Sequence, residues 1–263
     1  MLKRQVLLVA ILLVEMLGCR KKPATDAVDE PDVIEDGGFV EISLDEEADD
    51  LDALLGSELM KATAECGNLK KMEPAALLGE LTDAEVICLD DKLRETEQQT
   101  FMDKISRVLM ADAVAKGDVH RWEAVTQRHL TKIDRSDPDL SLKYARRLSD
   151  KGPEFADEAI YWADVALENR SRWKGKTYVA RVNALYRLRS MAANNEWTWL
   201  EQEYVKDPSS EMDDRRNKAR NRAKNLAREW LEYATSSGQD TALAKQLCQS
   251  ASGHGDFCEV TAP

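Results

Sequence analysis

The chain has 263 residues, 43% of them hydrophobic and 33% charged, with a formal net charge of −12 at pH 7. That length supports one sizeable core, or a core and a tail. The acidic balance argues against nucleic acid as a partner, because phosphate neutralisation needs a net cationic surface. The charge is uneven: residues 24–55 hold thirteen Asp or Glu and no Lys or Arg, and the first 23 carry five bases and one acid. Residues 56–263 therefore hold only −3 of the total.

The amino end begins with Lys3 and Arg4, followed by an apolar run from Val6 to Val14 and then Glu15-Met16-Leu17-Gly18-Cys19. The run has the length of a signal-peptide core and falls well short of the roughly 20 residues of a spanning helix. Met16-Leu17-Gly18-Cys19 resembles the lipobox of bacterial lipoproteins, a resemblance confined to the first 19 residues. It implies that residues 1–18 are a signal peptide and that Cys19 carries acyl chains. It also implies attachment to a membrane of the bacterial cell envelope, and Arg20 after the cysteine implies the outer membrane, facing the periplasm. Two or more acyl chains hold a protein stably, since each buried methylene contributes about 0.8 kcal/mol. An ordinary cleaved signal or a short uncleaved anchor is the alternative reading.

Residues 19–56 read as the lipid attachment followed by an acidic, disordered tether. The stretch "KKPATDAVDEPDVIEDGG" has too few apolar residues to offset its ordering entropy by burial. Further on, "FVEISLDEEADDLDALLG" interleaves apolar residues with acids. It is either a solvated spacer or a short segment that docks on a partner or on the basic helix of its own chain.

Residues 57–263 read as all-α, with no alternating strand pattern. Thr82 and Glu85 form a capping box ahead of "VICLDDKL". Phe101, Ile105, Val108 and Leu109 keep helical spacing, Gly117 ends that segment, and Asp118 caps the next. Trp122, Val125, His129, Leu130 and Ile133 form one apolar stripe; after the turn "DRSDPD", Leu140, Tyr144 and Leu148 form another. Past "DKGP" come Phe155, Ala159, Trp162, Ala163, Ala166 and Leu167, and then a loop rich in Arg, Lys and Gly. Tyr178, Val182, Leu185 and Tyr186 follow it, and "KDPSS" breaks a later helix. A long helix over about 211–235 carries Ala219, Ala223, Leu226, Ala227, Trp230 and Tyr233, and Leu243 and Leu247 mark a short last helix.

Units starting near Thr82, Asp118, Pro153 and Asn195 lie 36, 35 and 42 residues apart, the range of helical-hairpin repeats. "EAIYWADVALEN" is similar to the second helix of a tetratricopeptide repeat, with Ala159, Ala163 and Ala166 at the small packing positions. That resemblance covers at most residues 118–235. It implies a stack of helical hairpins that binds other proteins. An irregular helical bundle is the alternative.

With Cys19 acylated, four cysteines remain: Cys66, Cys88, Cys248 and Cys258. An even number in an oxidising compartment reads as disulfides, and the local pairing, Cys66 with Cys88 and Cys248 with Cys258, is favoured because each closes a short loop. No C-x-x-C or pair of nearby histidines supports a metal, and no cofactor fingerprint occurs. Neither H-E-x-x-H nor G-x-S-x-G is present, so the sequence points away from an enzyme. His120 and His129 fall on opposite helix faces, and His129 belongs to an apolar stripe. His254 beside Cys258 is outweighed as a nucleophile pair by the disulfide. Within "RRNKARNRAKNLAREW", Arg216, Arg220 and Lys224 recur every four residues, with Arg215 and Arg222 alongside. They form either a solvated face neutralised by acids such as Asp213 and Asp214, or a docking stripe for an acidic partner, an anionic polymer or the tether. Trp197 and Trp199 diverge on one helix. The sequence thus points to a lipid-anchored scaffold or accessory subunit that binds a protein partner. The alternative is a wall- or glycan-acting enzyme with paired carboxylates.

Overall fold

The computed structural model describes residues 66–253 and 256–260. The lipobox, Cys19 and the acidic tether lie outside the described residues, as does His254. Among the described residues all regular structure is helical. None of these helices is long and apolar enough to cross a membrane.

Local chemistry starts the helices where the sequence places them. The Thr82 hydroxyl accepts from the Glu85 amide, and the Glu85 carboxylate accepts from the Thr82 amide, closing the capping box of α2 (Asp83–Glu95). The Thr82 amide and hydroxyl both donate to the Glu85 carboxylate, outweigh the little burial it has, and hold it below the usual range. Asp118 caps α4 (Val119–Arg128) through the Arg121 amide, and Asp137 caps α5 (Pro138–Lys151) through the Leu140 amide, with Pro138 in the first turn. Ser209 caps α8 (Ser210–Ser237), which ends on Gly238 in the left-handed region at φ 69°. The other helices are α1 (Leu69–Leu77), α3 (Gln99–Ala115), α6 (Ala156–Glu168), α7 (Tyr178–Lys206) and α9 (Ala242–Ser252). The end of α4 widens into a π-turn, His129–Ile133.

One expectation needs correction, and two features add to what the sequence suggests. Helix α1 has no counterpart there; Pro74 is tolerated in this nine-residue helix, which Asn68 caps and which buries Leu69, Met72 and Ala76. Asn195 starts no unit, since it lies inside the continuous 29-residue α7. In α9 the buried stripe is Ala244, Cys248 and Ala251, and Leu243 is exposed.

Packing follows chain order. The broadest contacts are α7 on α8, then α5 on α6, α8 on α9 and α6 on α7; alternate helices also touch, α1 with α3, α5 with α7 and α7 with α9. Helices α4 and α5, which the sequence periodicity joins in one unit, meet only slightly. Among the packed pairs of consecutive helices, α3–α4, α5–α6 and α7–α8 start at Gln99, Pro138 and Tyr178, 39 and 40 residues apart. Small side chains explain the close pairs. Ala159, Ala163 and Ala166 on α6, and Ala219, Ala223 and Ala227 on α8, are buried where neighbouring backbones approach. Aromatic rings fill the centre: Tyr144 sits 6.5 Å from Trp122 and 5.9 Å, edge-on, from Trp162. Burial pushes the Tyr144 phenol up to about 12, with Glu158 and Glu123 adding to it. A second cluster, Trp230, Leu231 and Ala234 with Ala244, Cys248 and Cys258, holds the carboxyl end.

Candidate functional site

Helix α3 and the π-turn bring together a buried polar cluster. His129 is fully buried, and its Nδ1 lies 2.8 Å from the Ser106 hydroxyl. The Ser106 hydroxyl lies equally 2.8 Å from the Asp103 carbonyl, which competes with Nδ1 for its proton. Nε2 has no hydrogen-bond partner and sits 3.7 Å from the Asp103 carboxylate. Burial, with Arg107 nearby, pushes the His129 ring below its usual value and keeps it neutral. Arg107 holds both Asp103 oxygens at 3.1 Å and reaches Asp137 at 3.1 Å, joining α3 to the start of α5. In front lies a shallow cleft lined by Gln99, Thr100, Asp103, Ile133 and Asp134.

Ser106, His129 and Asp103 are the residue types of a nucleophilic triad, but their geometry cannot run one. A nucleophile must meet its substrate and its imidazole must be oriented by the acid, whereas this serine is fully buried and Nε2 makes no hydrogen bond to Asp103. The two cleft carboxylates fare no better as an acid–base pair. Asp103 is held by Arg107. Burial would raise the Asp134 carboxyl, but bonds from Ser136 and Arg172 outweigh it and hold it low. A general acid needs the opposite shift. Burial does raise Asp164 on α6, yet it shares Arg189 with Glu229 as a bridge from α7 to α6 and α8. No group of three or more His, Cys, Asp or Glu able to hold a metal ion occurs among the described residues.

The basic residues of α8 serve mostly internal contacts. Arg216 pairs with Asp213 at 2.6 Å and Glu201 at 3.4 Å and stacks on Tyr204. Arg222 bridges Asp157 on α6 and Glu196 on α7. Arg220 donates to the Ala251 carbonyl at the end of α9 and faces Trp197, whose indole nitrogen donates to Glu201. Lys224 lies over Phe257. Of the five, only Arg215 is exposed without an ion pair or hydrogen bond among the described residues. The stripe is visible in the sequence; its partners are not, because Asp157, Glu196 and Ala251 are distant along the chain. The cysteines fall in the favoured pairing: Cys66 with Cys88 and Cys248 with Cys258 lie at disulfide distance, their Cα atoms 5.5 and 5.9 Å apart.

A different cationic surface emerges where the α4–α5 turn meets the α6–α7 loop. Arg172 donates to Asp134 at 2.9 Å and to the Ser136 hydroxyl at 2.7 Å, and Arg181 to Asp139 at 2.9 Å. Arg181 also faces buried Trp173. These contacts neutralise the turn's own acids, while Lys132, Lys174 and Lys176 stay exposed with no ion pair among the described residues. Residues 169–181 contain five bases and no acid. Sequence reading noted the basic loop but could not pair it with a turn some 40 residues earlier. No protein-family model matches the chain, and neither a curated protein nor a solved structure is found similar to it.

Proposed function

We propose that this protein is an exported, lipid-anchored component of the bacterial cell envelope. Its helical domain binds a protein partner, as a scaffold or accessory subunit of an envelope assembly. One observation carries the reading: the four cysteines other than Cys19 lie in two pairs at disulfide distance, so that Cys19 is the odd one of five. Paired cysteines belong to oxidising compartments, and Cys19 stands where a lipobox places the acylated residue. Residues 1–18 then act as the signal peptide, residues 19–56 as anchor and tether, and Arg20 favours the outer membrane, on its periplasmic side. Support for binding comes from the packing. Helices pack mainly on their chain neighbours, as in helical repeats, and the tetratricopeptide resemblance of α6 implies use of such a stack for protein recognition.

The alternative, a glycan-acting enzyme, has one observation behind it, the shared cleft of Asp103 and Asp134. Their partners argue against it. Cross-linking in intact envelopes, followed by purification of the full chain in detergent, tests the binding reading. A single partner in stoichiometric yield is the expected result. Recovery of the chain alone, with hydrolysis of envelope polymers, would overturn it.

A further inference from the structure

We propose that the edge formed by the α4–α5 turn and the α6–α7 loop is a docking surface for the chain's own acidic segment, residues 45–52. The inference does not depend on the lipid anchor. Residues 45–52 read "DEEADDLD", six carboxylates in eight residues, the densest run of acid in the chain. A matching surface must offer several cations that are not already neutralised. The stripe on α8 offers less: Arg216 is held by Glu201 and Asp213, Arg222 by Asp157 and Glu196, Arg220 is spent on the end of α9, and the exposed Arg215 and Lys218 stand beside exposed Asp214. The edge meets the condition. Its acids Asp134 and Asp139 are answered by Arg172 and Arg181, and Lys132, Lys174 and Lys176 are left exposed beside them.

The segment is held on a short tether to the helical domain. Asp52 lies 14 residues before Cys66, which is tied to Cys88 on α2. Fourteen extended residues span about 46 Å, more than the length of α7, the longest helix described, at about 43 Å. Each exposed pair is weak by itself, so docking rests on several pairs at once and on the high local concentration that a short tether creates. The bound segment would cover the loop that carries the lysines, so an acidic partner would have to displace it.

The test uses the full chain and a zero-length carbodiimide, which joins a carboxylate to a lysine only at contact, read by peptide mass spectrometry. Links should form within one chain between residues 45–52 and Lys132, Lys174 or Lys176. Their yield should fall about fivefold as ionic strength rises from about 0.1 M to about 1 M, because the screening length shrinks from about 10 Å to about 3 Å. Mixing isotope-labelled and unlabelled chains identifies the occupant; links confined to two different copies would overturn the proposal. So would links running to Lys218 or Lys245 instead. A second measurement needs no lysine chemistry. Changing Asp45, Asp49, Asp50 and Asp52 to Asn, and Glu46 and Glu47 to Gln, leaves the described helices untouched. Amide hydrogen exchange over residues 169–177 should then quicken about threefold or more; unchanged exchange would overturn the docking.

Discussion

The amino-terminal and carboxyl-terminal parts of the helical domain cohere by different means. Buried polar side chains concentrate in the first: Ser106, Asp112, Thr126, His129, Asp137 and Ser141 all lie on α3 to α5, and among the other described residues only Ser190 is buried to that degree. Asp112 shows how they work. It is fully buried and accepts from the Leu81 amide at 3.3 Å and from Arg121 at 2.7 Å, with Lys116 at 3.0 Å, fastening α3 to the α1–α2 connection and to α4. Beyond α6 the work passes to small residues. Alanines on α7 and α8 let the two longest helices run close together, and side chains such as Ser190, bonded to the Leu226 carbonyl at 2.8 Å, pin them. A buried charge fixes one arrangement and is costly when half of it is lost, whereas a small-residue seam fails when it is overfilled.

The comparison breaks first at Asp112. Asp112→Ala leaves Arg121 and Lys116 without their buried acceptor and should cost about 3 kcal/mol or more, read by urea denaturation. A cost below 1 kcal/mol would deny the polar half its fastening role. Replacing both Cys248 and Cys258 by Ala opens a loop of separation 10; on the chain-entropy model this should cost about 3 kcal/mol. Adding reductant to the unaltered chain, which also opens Cys66–Cys88, should lower the melting temperature further. On the seam, Ala223→Leu should cost about 1–3 kcal/mol by overpacking, while Ala223→Ser should be milder. If the two cost the same, α7 and α8 are not held by close approach.

Smaller effects sharpen the contrast. The His129 ring is held neutral below its ordinary value, so between that lowered value and about 6.5 the unfolded chain binds a proton that the folded one does not. Its contribution is complete above about pH 6.5 and is lost as pH falls, at no more than about 1.4 kcal/mol per pH unit. His129→Asn should flatten that slope; an unchanged slope would assign the acid sensitivity to other groups. The smallest expected effect is Arg222→Gln. Its partner Asp157 is largely exposed and Glu196 only partly buried, so the loss should stay near 1 kcal/mol and shrink in high salt.

These two halves also differ in how far the sequence discloses them. Apolar spacing and some caps were legible: Thr82, Asp118 and the stripes through Trp122, Tyr144 and Trp162 stand where periodicity puts them, while α1 and the caps at Asn68, Asp137 and Ser209 went unread. Pairing of helices was not. Asn195 looked like a boundary because polar residues there broke the apolar pattern, yet helix-forming neighbours carry α7 straight through. The polar cluster was half legible. His129 announced itself by lying on an apolar stripe, but Ser106 and Asp112 look like ordinary solvent-facing residues until α1, α2 and α4 close over them. On α8 the cationic repeat was plain and its acceptors were invisible, since long-range ion pairs leave no local pattern. The candidate cationic edge escaped for the same reason.

The central claim, an exported helical domain anchored through Cys19, is tested most directly by the intact mass of the protein extracted from native membranes. The predicted species is a chain of 245 residues beginning at Cys19, carrying added acyl mass and two disulfides. Cys19→Ala should abolish the acyl mass. A protein that retains Met1, or one that starts at Cys19 with no acyl addition, would contradict the account.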